Sequence, residues 1–306
     1  MKLLILGSSG LVGSSLVRAF SNDLYFTEIL TPTRQKLDLF NFQETKDYIH
    51  NEQPNYIVNA AAKVGGILAN NTLRSDFILE NLKINLNLLE ALIPYKNIKL
   101  INLGSSCIYP LNAKNPIKEE YVMTGELEKT NSPYAMAKLT AIELGRSIKM
   151  QHGNKIINLM PTNLYGPNDN FSDRNSHVIP GLMGRMHKTK INSERTFEVW
   201  GSGNPLREFL YVDDLASAIL FIIKNNIEDE LLNIGSQEEI SIKELVNSLS
   251  EIINFNGEVV FNTEYPDGNP RKLLDSSKIL SYGWKPKIKI YEGLNLTYNW
   301  YKNNII

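Results

Sequence analysis

The chain has 306 residues, enough for one large or two modest domains and for a core that needs no disulfide or structural metal. Its 42% hydrophobic and 21% charged residues exclude wholesale disorder. Lys and Arg number 32 against 33 Asp and Glu, so no global basic field exists to hold nucleic acid or an anionic membrane. Cys107 is the single cysteine. That excludes an intrachain disulfide framework and a cysteine-rich zinc site, and it points to a reducing cytoplasm. The apolar run Leu3–Leu6 stops at Gly7, too short for a signal peptide. No apolar run reaches the roughly 18 residues of a membrane span, and no His/Asp/Glu cluster has metal-ligand spacing.

In chain order, Lys2–Leu6 reads as a buried strand and Leu11–Phe20 as a helix. A strand follows at Phe26–Leu30, a helix at Asn41–Asn51 and a strand at Tyr56–Ala60. Asp76–Leu92 carries Ile78, Leu79, Leu82, Leu86, Leu89 and Leu92 at helical spacing. Lys99–Leu103 is a strand, Tyr134–His152 a long helix and Ile156–Met160 another strand. Alternating strands and helices predict an α/β fold, a Rossmann-type doubly wound parallel sheet. Residues 1–165 form this domain, and 166–306 form mainly a smaller C-terminal α+β substrate domain. The chain returns to the larger domain around 209–235, from near Phe209 to Ile223. Residues 166–176 read as a loop, and Pro266–Pro270 is a strong turn signal.

Gly7-Ser8-Ser9-Gly10-Leu11-Val12-Gly13 is G-x-x-G-x-x-G at the first strand–helix junction. Glycine there allows a tight turn and close approach of a pyrophosphate, and the helix start at Leu11 offers free N–H groups. The second strand ends Leu30-Thr31-Pro32-Thr33-Arg34, without the acidic residue that marks NAD. Arg34 can pair with a 2′-phosphate, which favours NADP(H), or be a solvated surface arginine. Asp38 and Leu39 can touch the adenine.

Tyr134-Ala135-Met136-Ala137-Lys138 is Y-x-x-x-K, which puts both side chains on one helix face. A nearby ammonium lowers a tyrosine pKa, so that Tyr134 can protonate a carbonyl oxygen as hydride reaches the carbon. Gly104-Ser105-Ser106 ends the preceding strand at the edge where such sheets bind ligands, and a serine hydroxyl there can bond the substrate oxygen. Taken alone, Cys107 reads as a small buried hydrophobe, His177 as a surface residue and Trp200 as core. His50, His152 and His187 are given no role.

Glycine loop, serine, tyrosine and lysine in this order resemble the short-chain dehydrogenase/reductase family in its extended, nucleotide-sugar branch. Asn59–Ile67 with Ala69-Asn70-Asn71, Leu103–Pro110, Pro161–Pro167 and Asn175–Pro180 narrow the resemblance. Trp200–Gly203 through Arg207-Glu208-Phe209, and Pro266-Asp267-Gly268 through Arg271–Asp275, complete it. Together they are similar to the GDP-L-fucose synthase subfamily over nearly the whole chain.

The resemblance implies NADPH-dependent conversion of GDP-4-keto-6-deoxy-D-mannose to GDP-L-fucose, by epimerisation at C3 and C5 and reduction at C4. It implies that Cys107 and His177 are the acid/base pair of epimerisation. Their unperturbed pKa values, about 8.5 and 6.5, suit that task. It gives Tyr134 as proton donor to O4, Lys138 as holder of the nicotinamide ribose, and Ser105 and Ser106 beside sugar and nicotinamide. Leu103 and Gly104, Pro161, Thr162, Asn163 and Leu164, and His177 fall on the cofactor side. Arg185, Trp200, Arg207, Asp267 and Lys272 match GDP-sugar positions. The resemblance also implies a homodimer, with helices 76–92 and 134–152 at its interface. Some family members carry basic residues between the first two glycines to hold the 2′-phosphate; Ser8-Ser9 here leaves that task to Arg34. Rival readings keep the site and change the sugar to a related GDP-4-keto-6-deoxy-heptose or 3,6-dideoxy sugar, with or without epimerisation. A dinucleotide-binding protein without turnover would be expected to lack Tyr134 or Lys138.

Overall fold

The computed structural model describes residues 1–172, 176–265 and 267–306. Asn175 and Pro266, quoted above within two motifs, lie outside the described residues. The N-terminal half runs β1 (Lys2–Leu6), α1 (Leu11–Phe20), β2 (Glu28–Leu30), α2 (Phe42–Glu52), β3 (Tyr56–Asn59), α3 (Ile67–Thr72), α4 (Arg74–Leu92) and β4 (Lys99–Leu103). It continues with α5 (Ser132–His152), β5 (Lys155–Pro161) and β6 (Asn163–Tyr165). Then come α6 (Val178–Ile191), β7 (Thr196–Trp200), β8 (Leu206–Tyr211), α7 (Val212–Lys224), β9 (Leu231–Ile234) and β10 (Glu239–Ser241). The chain ends with α8 (Ile242–Ile253), β11 (Glu258–Asn262), β12 (Arg271–Lys272), α9 (Ser277–Ser281) and α10 (Ile290–Asn304).

The main sheet has six parallel strands in the order β2-β1-β3-β4-β5-β9. Strand alternation sends Leu3, Ile5, Val58, Ile101 and Ile157 to one face, against Leu16 and Phe20 of α1 and Leu215, Ile219 and Ile222 of α7. Leu4, Leu6, Ile57, Leu100 and Ile156 face Ile49 of α2, Leu88 and Leu89 of α4, and Ala141 and Ile148 of α5. Burial on both faces is why these strands read as continuous apolar runs. The second strand is shorter than expected, because Phe26 turns into the core and stacks on Phe20 with ring centroids 5.4 Å apart.

Local signals set the helix ends. The Asn41 side chain caps α2 by accepting from Gln43 N and Glu44 N. Pro133 sits in the first turn of α5, and Gly153 closes that helix in the left-handed conformation. Ser241 and Glu244 form a capping box on α8.

Two smaller sheets build the rest. β8 pairs with β10, β12 and β6, and β7 pairs with β11. A separate core gathers Met183 of α6, Val199 of β7, Phe209 of β8, Leu249 of α8 and Leu294 of α10. Phe209, where the sequence places the return to the large sheet, still lies in the smaller sheet; α7 and β9 make the crossing. Among the described residues no helix is long and apolar enough to cross a membrane.

Polar side chains also hold the middle of the main sheet. Asn59, Asn102 and Asn158 stand in register on β3, β4 and β5. Asn59 Nδ2 donates to Asn102 Oδ1 (3.0 Å), and Asn102 Nδ2 to Asn158 Oδ1 (3.2 Å). Asn85 on α4 accepts from Asn59 and donates to the Asn81 carbonyl. Asn81 in turn clamps the loop after β3, accepting from Lys63 N (3.1 Å) and donating to Lys63 O (3.0 Å). Replacing the middle residue, Asn102→Leu, strands amide groups on both neighbours. We expect a loss of about 2–3 kcal/mol of stability, read from urea unfolding. A loss within error of zero would show that the row bears no weight.

Candidate active site

The carboxyl ends of β1, β3, β4 and β5 open into one cleft of 1490 Å³, the position where open parallel sheets bind ligands. Gly7 turns the chain at φ +76°, and a Cβ there would lie 2.8 Å from the backbone of Ala60 and Ala61. Gly7, Ser8, Ser9, Gly10, Leu11 and Val12 line the cleft at the start of α1. Gly13, expected on the cofactor wall, does not line it. A Cβ on Gly13 would overlap the Gly7 carbonyl, so its role is to let α1 pack against the loop. Arg34, Asp38 and Leu39 lie on the same wall. Arg34 Nε is 3.7 Å from Asp38 Oδ1, and its guanidinium lies 4.6 Å from the Phe40 ring centre. Pro161, Thr162, Asn163 and Leu164 line the cleft beyond β5. Thr162 Oγ1 and Asn163 Nδ2 both donate to the Glu208 carbonyl.

Ser105, Ser106, Cys107, Tyr134, Lys138 and His177 all reach this cleft, as do Leu103 and Gly104. Ser105 caps the short 3-10 turn Ser106–Ile108, accepting from Cys107 N at 3.2 Å. Lys138 Nζ donates to Leu103 O (2.7 Å) and lies 5.8 Å from the Tyr134 ring centre. Burial lowers the Lys138 pKa to about 8. The expectation that Lys138 lowers the Tyr134 pKa is not met. Burial pushes the phenol up, the nearby Cys107 adds to the rise, and a hydrogen bond with Ser105 opposes it weakly. Tyr134 is therefore held as a neutral phenol, the form that gives a proton.

The far end of the cleft belongs to the smaller sheets. Arg207 on β8 and Lys272 on β12 are register partners, though distant in sequence, and both line the cleft. Arg207 donates to Asn269 O (2.6 Å) and Leu206 O (2.8 Å), and burial lowers its pKa. Asp267 accepts from Ser202 Oγ (2.6 Å) and Ser202 N (2.8 Å), which hold its carboxyl below the usual range. Trp200 is not core: it is 57% exposed and stacks on Tyr265, ring centres 4.7 Å apart. The Arg185 guanidinium lies 5.6 Å from the Trp200 ring centre. Behind Arg207, the wholly buried Glu208 carboxylate accepts from Gln237 N (2.8 Å) and Leu274 N (3.1 Å). Burial raises its pKa against those hydrogen bonds.

Two asparagines were given no site role from the sequence. Asn70 and Asn131 line the cleft, and each has a buried Oδ1 without a hydrogen-bond partner among the described residues. Asn131 is the N-cap of the helix that carries Tyr134, a position three residues upstream that could have flagged it. Asp169 was also missed; its Oδ1 stands 4.0 Å from His177 Nδ1.

Residues 3–235 match the NAD dependent epimerase/dehydratase family. Among curated proteins, putative GDP-L-fucose synthase 2 of Arabidopsis thaliana is 47% identical over 305 residues, 100% of this chain and 93% of its own. A GDP-6-OMe-4-keto-L-xylo-heptose reductase from C. jejuni superposes with a TM-score of 0.90 at 34% identity, covering 99% of this chain and 97% of its own. A GDP-L-fucose synthetase from Naegleria fowleri bound to NADP gives 0.89 at 27% identity, over 99% and 94% of the two chains.

The buried Lys138 makes a test of the site's electrostatics. Its folded pKa of about 8 lies below the unfolded value of 10.5, so between these pH values the unfolded chain binds more protons and stability rises with pH. We expect the wild-type protein to gain on the order of 3 kcal/mol over Lys138→Met across that window in urea unfolding. Parallel stability curves for the two proteins would contradict this.

Proposed function

This chain belongs to the NAD dependent epimerase/dehydratase family, and from that premise we propose that it is an NADP(H)-dependent epimerase and reductase converting GDP-4-keto-6-deoxy-D-mannose to GDP-L-fucose. The observation that carries this reading is the gathering of Ser105, Cys107, Tyr134, Lys138 and His177 in one cleft, between a glycine loop and a wall of Arg185, Arg207 and Lys272. Fit to the cofactor rests on the cradle at Gly7, where no Cβ can be added, and on the free N–H groups opening α1. Gly7–Val12 would hold the pyrophosphate, Arg34 the 2′-phosphate, Lys138 the ribose, and Pro161–Leu164 with Leu103 and Gly104 the nicotinamide. When bound, NADPH supplies hydride to C4. The likeness to an NADP-bound GDP-L-fucose synthetase supports this choice of cofactor.

The chain's own residues do the rest. Arg185, Arg207 and Lys272 neutralise the diphosphate, and Asp267 accepts guanine N–H bonds. Trp200 offers a stacking face to the base. The orphan oxygens of Asn70 and Asn131 suit sugar hydroxyl donors. Cys107 and His177 remove and return the protons at C3 and C5, which the C4 ketone acidifies by enolate formation. Ser105 hydrogen-bonds O4, and Tyr134 gives its proton there as the carbonyl is reduced. We place the reaction in the cytoplasm, which suits a free Cys107. The dimer forms on the outer faces of α4 and α5, where Leu79, Leu86, Met136 and Met150 are exposed.

A second reading keeps this machinery and changes the sugar to a GDP-4-keto-heptose. The likeness to a heptose reductase favours it.

The deciding experiment incubates the protein with NADPH and GDP-4-keto-6-deoxymannose in deuterated water and reads the product by NMR. GDP-L-fucose labelled at C3 and C5 is expected. Reduction without inversion or label would remove the epimerase, and reaction with the heptose alone would favour the second reading. Tyr134→Phe should lose at least about 100-fold in reduction while still binding NADPH; normal turnover would sink its role as donor. Cys107→Ser should slow deuterium uptake more than reduction. For the dimer, Leu79→Glu with Leu86→Glu should sediment as a monomer, and an intact dimer would place the interface elsewhere.

A further inference from the structure

We infer that Asp169 is a positioning residue for His177: its carboxylate selects the Nδ1–H tautomer and leaves Nε2 bare toward the cleft. This rests on the reading of His177 as a proton-transfer group and adds the element that would orient it.

Asp169 lies between β6 and α6, in a segment tied back to the fold. Its N–H donates to Gly166 O at 3.3 Å. Next to it, Asn168 Nδ2 donates to Ser14 Oγ of α1 at 3.0 Å. The Asp169 side chain is only 4% exposed. Its Oδ1 accepts from Asn170 N at 2.7 Å, and its buried Oδ2 has no hydrogen-bond partner among the described residues. A carboxylate in that position is costly unless a donor comes to it. His177 Nδ1 stands 4.0 Å from the Oδ1 of this carboxylate, the oxygen that also accepts from Asn170 N.

His177 is placed to use such a partner. It is the N-cap of α6, so its backbone is fixed: its carbonyl accepts from Gly181 N at 2.9 Å. Its side chain makes no capping bond and remains 45% exposed at the cleft. Nothing in the helix itself chooses between the two neutral tautomers of the ring. A carboxylate near Nδ1 does, as in other carboxylate–histidine pairs. At 4.0 Å the pair is short of a hydrogen bond, which we expect to close when substrate fills the site.

The proton step then balances. As the sugar C–H bond breaks, an N–H bond forms at Nε2, and the electron pair passes into an enolate whose charge rests on O4. The ring becomes imidazolium with its Nδ1–H toward the Asp169 carboxylate. When His177 acts as the acid, the same transfers run backward.

The test uses the full-length ¹⁵N-labelled protein, wild type and Asp169→Asn, with His177→Gln to assign the signals. The asparagine keeps the shape and the acceptor for Asn170 N–H. Long-range ¹H–¹⁵N spectra of the wild type should show the Nδ1–H tautomer of His177, and Asp169→Asn should shift it toward Nε2–H. Deuterium uptake at C3 and C5 of GDP-4-keto-6-deoxymannose should fall about 10-fold or more, with the substrate KM changed less than about twofold. Asp169→Glu should recover part of the rate. An Nε2–H tautomer in the wild type, or one indifferent to Asp169→Asn, overturns the pairing, and so does a raised KM with an unchanged exchange rate. A tautomer that follows Asp169, in a protein that exchanges no sugar proton, supports the pairing and overturns the epimerase reading instead.

Discussion

Three asparagine side chains in register on adjacent strands, Asn59, Asn102 and Asn158, tie the middle of the main sheet together by amide hydrogen bonds. Sliding β4 would break both of those bonds and sliding β3 or β5 would break one, so the row specifies register where apolar residues alone would tolerate a shift. It lies at the end of β3, one residue below the end of β4 and three below the end of β5, the strand ends that form the cleft floor. Through Asn85 and Asn81 it continues to Lys63, in the loop that forms one wall. The placement of Ser105, beyond β4, and of Thr162, beyond β5, thus depends on a polar contact in the core.

Burial governs the chemistry above that floor. It disfavours charge on Tyr134 and on Lys138 alike, so the pair is less polar at rest than its residue types suggest. In such a medium water competes little with the hydrogen bonds that hold the two side chains, such as that from Lys138 Nζ to Leu103 O. The other end of the cleft works differently. Trp200 and Asp267 are largely open to solvent, and their geometry comes from stacking on Tyr265 and from the Ser202 hydrogen bonds. The rigid, dry end suits bond making and the open, wet end suits capture of a nucleotide.

Much of this was legible beforehand because it is local. The apolar run Lys2–Leu6 and the glycines after it dictate a buried strand and a tight loop, and Tyr134 and Lys138 share a face wherever that segment is helical. What escaped was set by tertiary contact. Asp169 is one acid in a loop rich in polar residues, and only the folded chain brings it to His177. The sequence could not place Arg207 next to Lys272, because that depends on a two-residue strand pairing with β8. Trp200 misleads because a large aromatic is usually buried, whereas here half of its surface is left for use. Gly13 was assigned to the ligand when its constraint is the approach of α1 to Gly7.

Glu208 shows how far from the chemistry a binding defect can arise. Its carboxylate joins the segment after β9 to the segment after β12, while its carbonyl holds Thr162 and Asn163. Neither contact involves a ligand, yet Arg207 precedes it on the same strand and Lys272 lies beside that strand. If Arg207 and Lys272 are the contact residues proposed above, a random mutagenesis screen for weakened sugar-nucleotide recognition would therefore return alleles at Glu208 alongside theirs. Purely genetic mapping would draw the recognition surface one layer too deep.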